Sequence, residues 1–429
     1  MDYQNTLAFA IQLDEQDPLK DFRGKFLIPQ HGGRDAIYLC GNSLGLQPAS
    51  AQQYITTQLN AWQQLGVEGW FNGDDPWLSY HKQLTSTLSA IVGATENEVT
   101  VMNSLTVNLH LLMVSFYKPK DKKYKIIMEG GAFPSDQYAL ESQVKFHGYD
   151  PKDAIIEIFP RDGEDILRTE DILETINNNA DELALVLFSG INYYTGQFFD
   201  IEAITKAANQ AGAIAGFDLA HAAGNVPVKL HDWNVDFACW CSYKYMNSGP
   251  GGISGIFVHE KHFEDKTLNR FAGWWGYRQD KRFLMAPGFQ AEQGADGWQV
   301  STPPIMLLAL HKASLDIFEQ AGGIEALRAK SKLLTGYFEF MLNEINSSFG
   351  KEIFKIITPK NKNDRGCQLS IVCSHKAREI FDYLTINGVI GDWREPNVIR
   401  LSPVPLYNSF KDVFNAGDIA TLAIKEIGL

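Results

Sequence analysis

The chain has 429 residues, of which 45% are hydrophobic and 21% charged, the composition of a soluble globular protein with more than one domain. Its 51 acidic and 38 basic residues leave a formal charge of −13, which argues against a nucleic-acid or anionic-membrane partner but leaves small anionic ligands open. Five cysteines lack any regular framework, the start MDYQNTLAFAIQLDEQD carries no basic-then-apolar leader, and no apolar run reaches membrane-spanning length, so a reducing, cytoplasmic location is expected.

Apolar strand patterns fall at 37–40, 98–102, 125–129, 155–159, 183–188, 214–218, 237–241 and 255–259. Helical patterns lie between them at 50–65, 77–92, 107–117, 135–146 and 201–211. Several strands are apolar on both faces, as in sheets covered by helices on two sides. The alternation predicts an α/β fold with a mainly parallel sheet. After Pro303-Pro304 the texture changes to helices at 305–320 and 324–345, strands at 368–373 and 398–401, and a last helix at 410–427. The expected organisation is a large α/β domain over 33–303. A smaller α+β domain is formed by 1–32 together with 304–429.

In open parallel sheets, ligands bind beyond the carboxyl ends of the strands. The strand ends are therefore the places to look, taken along the chain. Val101-Met-Asn-Ser104-Leu105-Thr106 joins a strand to a helix; Ser104 or Thr106 caps that helix, or its free N–H groups bind an anion. Gly130-Gly-Ala-Phe133-Pro134-Ser135-Asp136 starts another helix and also offers a ring for stacking, with a hydroxyl and a carboxyl beside it. Ile214-Ala-Gly-Phe-Asp218-Leu-Ala-His221 ends an apolar strand in an acid. A buried carboxylate needs a cationic or donor partner, and the plainer role is to cap the next turn.

Asp236-Phe-Ala-Cys-Trp-Cys-Ser242-Tyr243-Lys244 runs from the next strand into a glycine-rich turn at Gly249, Gly251 and Gly252. Glycines let the backbone turn and a ligand approach closely. A lysine in such a place is shielded from water and suited to act as a nucleophilic amine. The run is no dinucleotide fingerprint, because position 254 is Ser where that motif needs Gly. Cys239 and Cys241 read as buried strand thiols. Arg400 lies within an apolar strand and needs a fixed anion, either a substrate carboxylate or a structural acid. The ten histidines show no metal-binding spacing, and no metal is expected.

Several stretches match one family in order along the chain. They are GNSLGLQP (41–48), MNSLTVNLHLLM (102–113), AFPSD (132–136), LFSGINYYTGQ (187–197), GFDLAHAAGNV (216–226), DFACWCSYKYMNSGPGG (236–252), STPPI (301–305) and RLSPVPLYNSF (400–410). The chain thereby resembles the kynureninases, within the aspartate-aminotransferase-like, fold-type-I enzymes that use pyridoxal 5'-phosphate. The resemblance implies a hydrolase that splits the Cβ–Cγ bond of L-kynurenine, its 3-hydroxy form, or both, in tryptophan catabolism or NAD biosynthesis.

It implies that Lys244 carries the cofactor as a Schiff base and moves protons, and that Asp218 pairs with the pyridine nitrogen. Phe133 would stack on the ring, Leu105 and Thr106 hold the phosphate with Tyr243 nearby, and Pro134, Ser135, Asp136, Ser189 and His221 complete the shell. Tyr243 is also the candidate acid–base group, its other role being phosphate binding alone. Trp274 and Thr302 would come from a partner subunit, making the enzyme a homodimer with shared sites. Arg400 would take the substrate α-carboxylate, and Ser43, Trp70 and Thr302 would line the substrate pocket. Trp70 and Thr302 stand where some relatives have His and Asn; the first would touch the substrate's aromatic ring, so a preference between the two substrates does not carry over.

A cysteine desulfurase or aminotransferase of the same fold would share the lysine and aspartate. A desulfurase also needs a mobile-loop cysteine, for which only Cys367 qualifies, and it opens a strand pattern. A non-catalytic cofactor-binding regulator would bring a DNA-binding module and a basic face, for which the chain has no spare segment and the wrong charge.

Overall fold

Strands that are apolar on both faces hold together only with a layer packed on each side. The structure, a computed structural model describing residues 2–428, places them in one seven-stranded sheet. The strands are β1 (Val99–Val101), β2 (Lys125–Glu129), β3 (Ile155–Ile158), β4 (Leu183–Ser189), β5 (Ile214–Asp218), β6 (Phe237–Trp240) and β7 (Gly255–Val258), in spatial order β1-β7-β6-β5-β4-β2-β3. All neighbours from β6 to β3 are parallel; β7 runs antiparallel to both β6 and β1. Alternation divides the side chains between two cores. Ala238 and Trp240 of β6 join Val186 and Phe217 on one face, while Phe237 and Cys239 join Leu185 and Leu187 on the other. This explains why the strands read as unbroken apolar runs.

A second, four-stranded antiparallel sheet follows. It contains β8 (Phe354–Ile356), β9 (Leu369–Cys373), β10 (Asp392–Arg394) and β11 (Val398–Leu401), in the order β8-β9-β11-β10. Its core includes Leu369, Ile371, Ile399, Phe338, Met341 and Val413, with Ala10 and Leu13 of the first helix, Leu7–Gln16. Asp14 of that helix caps the last one, Phe410–Ile427, by accepting from the Phe410 and Lys411 amides at 2.6 and 3.1 Å. The buried Lys330 bonds Asp17 at 2.7 Å, so its ammonium is compensated. The helix Ile305–Gln320 packs Leu308, Leu315 and Phe318 into the large sheet's core.

Three local expectations differ from the structure. The apolar run at 37–40 does not join the large sheet; Ile37–Tyr38 pairs in parallel with Val389–Ile390 instead. Two adjacent residues suffice for that short pairing, and propensity does not specify a partner. The segment 77–92 is a 3₁₀ helix over Trp77–Leu84 before the α-helix Thr85–Val92. Buried Trp77 and Tyr80 lie three apart, which suits a three-residue turn. The helix expected from 107 begins at Leu105.

The two bodies meet through loops. Gly45 donates its amide to the Tyr243 carbonyl at 2.8 Å, and a Cβ at Gly45 would overlap the Lys244 carbonyl oxygen. A Cβ at Gly41 would strike the Tyr407 hydroxyl and Val404. The loop 41–45 is thus pressed between the lysine loop and the segment after Arg400, and glycine is needed at both contacts. Asn225 bonds the His221 carbonyl and the Cys367 amide, each at 2.9 Å, tying the loop after β5 to the start of the small sheet. Because the obstacle at Gly45 is backbone, Gly45→Ala should destabilise the protein by about 1–3 kcal/mol, measured as a lower thermal unfolding midpoint with helical content retained in the native baseline.

Candidate active site

Strands β1, β2, β4, β5 and β6 all run in one direction, so their carboxyl ends share one edge of the sheet. A cavity of about 340 Å³ opens there, within the size range of small-molecule sites. Ser104, Leu105 and Thr106 reach it from the end of β1, Glu129, Phe133, Ser135 and Asp136 from β2, and Ser189 from β4. Asp218 and His221 enter from β5, and Tyr243 and Lys244 from β6. Ser43 and Arg400 close it from the loop 41–45 and from β11. The structure therefore brings together twelve of the expected site residues: Ser43, Leu105, Thr106, Phe133, Ser135, Asp136, Ser189, Asp218, His221, Tyr243, Lys244 and Arg400.

Four expected residues do not line the cavity. Pro134 is exposed and occupies the first turn of the helix Pro134–Phe146. Trp70 packs on Trp77 and Trp275, with ring centroids 5.5 and 5.7 Å apart. Trp274 packs on Phe283 at 5.9 Å, and Thr302 is exposed.

The charge balance of the cavity floor is unusual. Asp218, Asp136 and Glu129 are all buried. Burial raises the carboxyl pKa of each; neighbouring Asp218 adds to the effect at both Asp136 and Glu129, and Glu129 is pushed up to about 7. Asp218 accepts from the Ala220 amide at 2.7 Å and feels the positive charge of Lys244. Glu129 accepts from the Ser189 hydroxyl at 2.7 Å, and its second oxygen is buried without a partner. Lys244 Nζ lies 3.0 Å from His221 Nε2 and 5.8 Å from the centre of the Phe133 ring. Burial and the nearby ammonium hold the His221 imidazole well below its usual pKa, so it is neutral. With Nε2 accepting from Lys244, its proton sits on Nδ1, which is buried without a protein partner.

These features fit pyridoxal phosphate. A pyridinium brings a second cation to the buried acids. The helix Leu105–Phe116 begins at Ser104, whose side chain makes no capping bond, leaving the first N–H groups to an anion. Phe133 stands edge-on to Tyr193 at 5.2 Å and presents its ring to the cavity.

Sequence reasoning missed four polar lining residues: Asn42, Glu129, Tyr193 and Arg394. Asn42 is buried, and neither its amide nitrogen nor its oxygen has a partner. Glu129 was visible as the acidic last residue of an apolar strand, the same signal that marked Asp218.

A family model described as the kynureninase C-terminal domain matches residues 327–420. The chain is 58% identical over 426 residues to a protein named kynureninase from Flavobacterium psychrophilum, covering 99% of this chain and 100% of that one. It is 56% identical to a protein of the same name from Flavobacterium johnsoniae, covering 98% of each. Among solved structures, it superposes on a cysteine desulfurase from Thermococcus onnurineus NA1 with a TM-score of 0.71, at 17% identity over 92% of this chain and 95% of that one. A C-DES variant with glycine covalently linked to its pyridoxal-phosphate cofactor gives a TM-score of 0.74, at 15% identity over 90% of this chain and 96% of that one. These distant structures share the fold.

The buried acids set a pH dependence. An ordinary glutamate ionises near 4.5 when unfolded, and Glu129 does so at about 7 when folded. The folded protein therefore holds the extra proton between these values and loses stability as pH rises through them. In the cofactor-free protein, Glu129→Gln should gain on the wild type by on the order of 3 kcal/mol between pH 4.5 and pH 8, measured by urea unfolding across that range; a constant difference would show that Glu129 does not carry the proton.

Proposed function

The chain belongs to the kynureninase family, and we propose that the cavity at the strand ends performs the family's reaction with the residues that line it. That reaction is the pyridoxal-phosphate-dependent hydrolysis of the Cβ–Cγ bond of L-kynurenine, giving anthranilate and L-alanine. The observation that carries the siting is the convergence of Lys244, the buried Asp218 and an uncapped helix N-terminus in one cavity.

In this reading the helix start at Leu105 and Thr106 holds the cofactor phosphate, with Tyr243 beside it. Asp218 holds the proton on the pyridine nitrogen, and Phe133 covers the ring. Pro134 fixes the helix start that places Ser135 and Asp136, and Ser189 and His221 complete the shell. Bound pyridoxal phosphate supplies an electron sink for negative charge at the substrate's Cα and Cβ. Lys244 Nζ holds the cofactor, later takes the proton from Cα, and returns one there before L-alanine leaves. Water adds at Cγ, the Cβ–Cγ bond breaks with its electron pair passing to Cβ, and a proton is delivered there. Tyr243 suits that delivery. Its phenol pKa is pushed up by burial and by the Cys241 thiol, so it keeps its proton at neutral pH. Arg400 binds the α-carboxylate, and Ser43 lines the pocket for the aromatic end.

We also propose a homodimer. Phe71, Phe271, Trp274, Phe283, Leu284 and Met285 are exposed, and Phe283 packs on both Phe71 and Trp274 at 5.7 and 5.9 Å. An exposed apolar cluster of this kind marks an association surface. In this reading Trp274 and Thr302 reach a site across the subunit boundary, and Trp70, which adjoins the cluster, lines the pocket for the substrate's aromatic end. Five unpaired cysteines suit a reducing cytoplasm, and no helix among the described residues is long and apolar enough to cross a membrane. The likeness to a desulfurase does not extend to its chemistry. Cys367 is buried, bonds Ser331 at 3.4 Å, and has its thiol pushed up to about 11 by burial.

Lys244→Ala should abolish both the visible absorption of the bound cofactor and nearly all release of anthranilate; retention of both would remove Lys244 from the site. We propose that 3-hydroxy-L-kynurenine is also cleaved. The measurement is kcat/KM for the two substrates side by side, and failure to release an anthranilate from either would overturn the assigned reaction.

A further inference from the structure

The cavity contains a second arginine that none of the matched motifs includes. Arg394 ends β10, the edge strand paired with β11, and lines the cavity with Arg400. Asp392 stands between them. Its Oδ2 accepts from Arg394 Nη2 at 3.2 Å and also from Arg400 Nη2. Both guanidinium groups lie 5.9 Å from the centre of the Tyr193 ring, and Arg400 Nη1 donates to the Tyr193 carbonyl at 2.6 Å. Tyr193 is itself held by Gln368, which donates to the same carbonyl at 3.0 Å. The pair is thus braced from several sides.

The charges do not balance. Two guanidinium groups share one carboxylate, and Arg400 is almost wholly buried. The Nε atoms of both arginines are buried without a partner. Buried guanidinium donors without acceptors are costly, and a monoanion in the cavity relieves both the charge excess and the unmet donors. A carboxylate has the planar, two-oxygen shape that guanidinium groups match.

We propose that Arg394 is a second residue that binds the substrate's α-carboxylate, Asp392 holding the two arginines at the spacing that receives it. The bound state is an array of two guanidinium groups and two carboxylates, electrically neutral. The proposal rests on the reading of Arg400 as a carboxylate ligand. It makes the site selective for a free α-carboxylate over an amide or ester of the same amino acid. Arg394 is about a third exposed, so water screens its charge and its share is smaller than that of Arg400.

The test is a double-mutant cycle on the holoenzyme, with L-kynurenine and its α-carboxamide as substrates. Arg394→Gln should raise KM for L-kynurenine about three- to tenfold, change kcat less than about twofold, and reduce the preference for acid over amide by the same factor. Arg394→Lys should recover part of the loss, and the visible spectrum of the bound cofactor should be unchanged throughout. In an Arg400→Gln background, Arg394→Gln should lower kcat/KM for the acid further while leaving the amide unaffected. No further loss in that background would mean that Arg394 only braces Arg400, and would overturn the proposal, as would an unchanged KM in the single variant. An unchanged KM in Arg400→Gln alone would instead sink the reading of Arg400 itself.

Discussion

A carboxylate at the end of an apolar strand is the constraint around which this molecule is arranged. Asp218 is enclosed by the cores on either side of the sheet, and water cannot stabilise its charge. The protein answers in part, with one backbone amide, the ammonium of Lys244 and a hydrogen bond from Asp136. Burial and the neighbouring Asp218 in turn raise the carboxyl pKa of Asp136 and Glu129. The cavity is therefore complete only with a cationic aromatic ring in it, and the surrounding elements can be understood as holding that ring. Phe133 offers a flat wall, the helix at Leu105 offers N–H groups, and the loop at Gly45 locks the lysine loop to the remainder of the pocket.

The same electrostatic logic recurs elsewhere in the cavity lining with its sign reversed. There the excess is positive, on Arg394 and Arg400. In the proposed reading the two guanidinium groups receive the substrate's carboxylate, while the floor acids face the cofactor's pyridinium. Tyr243 and Lys244, adjacent in the chain, line the same cavity.

Much of this was legible in the chain, because strand ends leave a clear signature. An apolar run that stops at Asp218 or Lys244 names both the element and its functional terminus, and the parallel topology places those termini together. Glu129 carried the same signature without a familiar motif around it. Arg394 carried none. Its strand is three residues long, all partly exposed, and no alternation announces it. Asn42 was hidden for another reason: its burial arises from packing between segments far apart in sequence, which no local pattern records. The short strand at Ile37–Tyr38 was found but placed with the large sheet, since its pairing across some 350 residues is invisible to periodicity. Trp70, Trp274 and Thr302 illustrate the complementary limit, because a single chain does not bring them to the cavity its own motifs build.

The loop 41–45 is tied to Tyr243 on one side and pressed against Val404 and Tyr407 on the other. Its neighbour Tyr38 accepts from Asn408, 370 residues away. This has a consequence for biosynthesis. During translation the large sheet can form, with Asp218 and Lys244 already in place, while the wall bearing Arg400 has yet to leave the ribosome. At roughly 5–20 residues per second, many seconds separate the two events. The nascent chain thus holds a half-built pocket whose buried acids lack their final enclosure. Closure of the wall bearing Arg400 is a late event in the life of the polypeptide, because it needs segments from both ends of the chain.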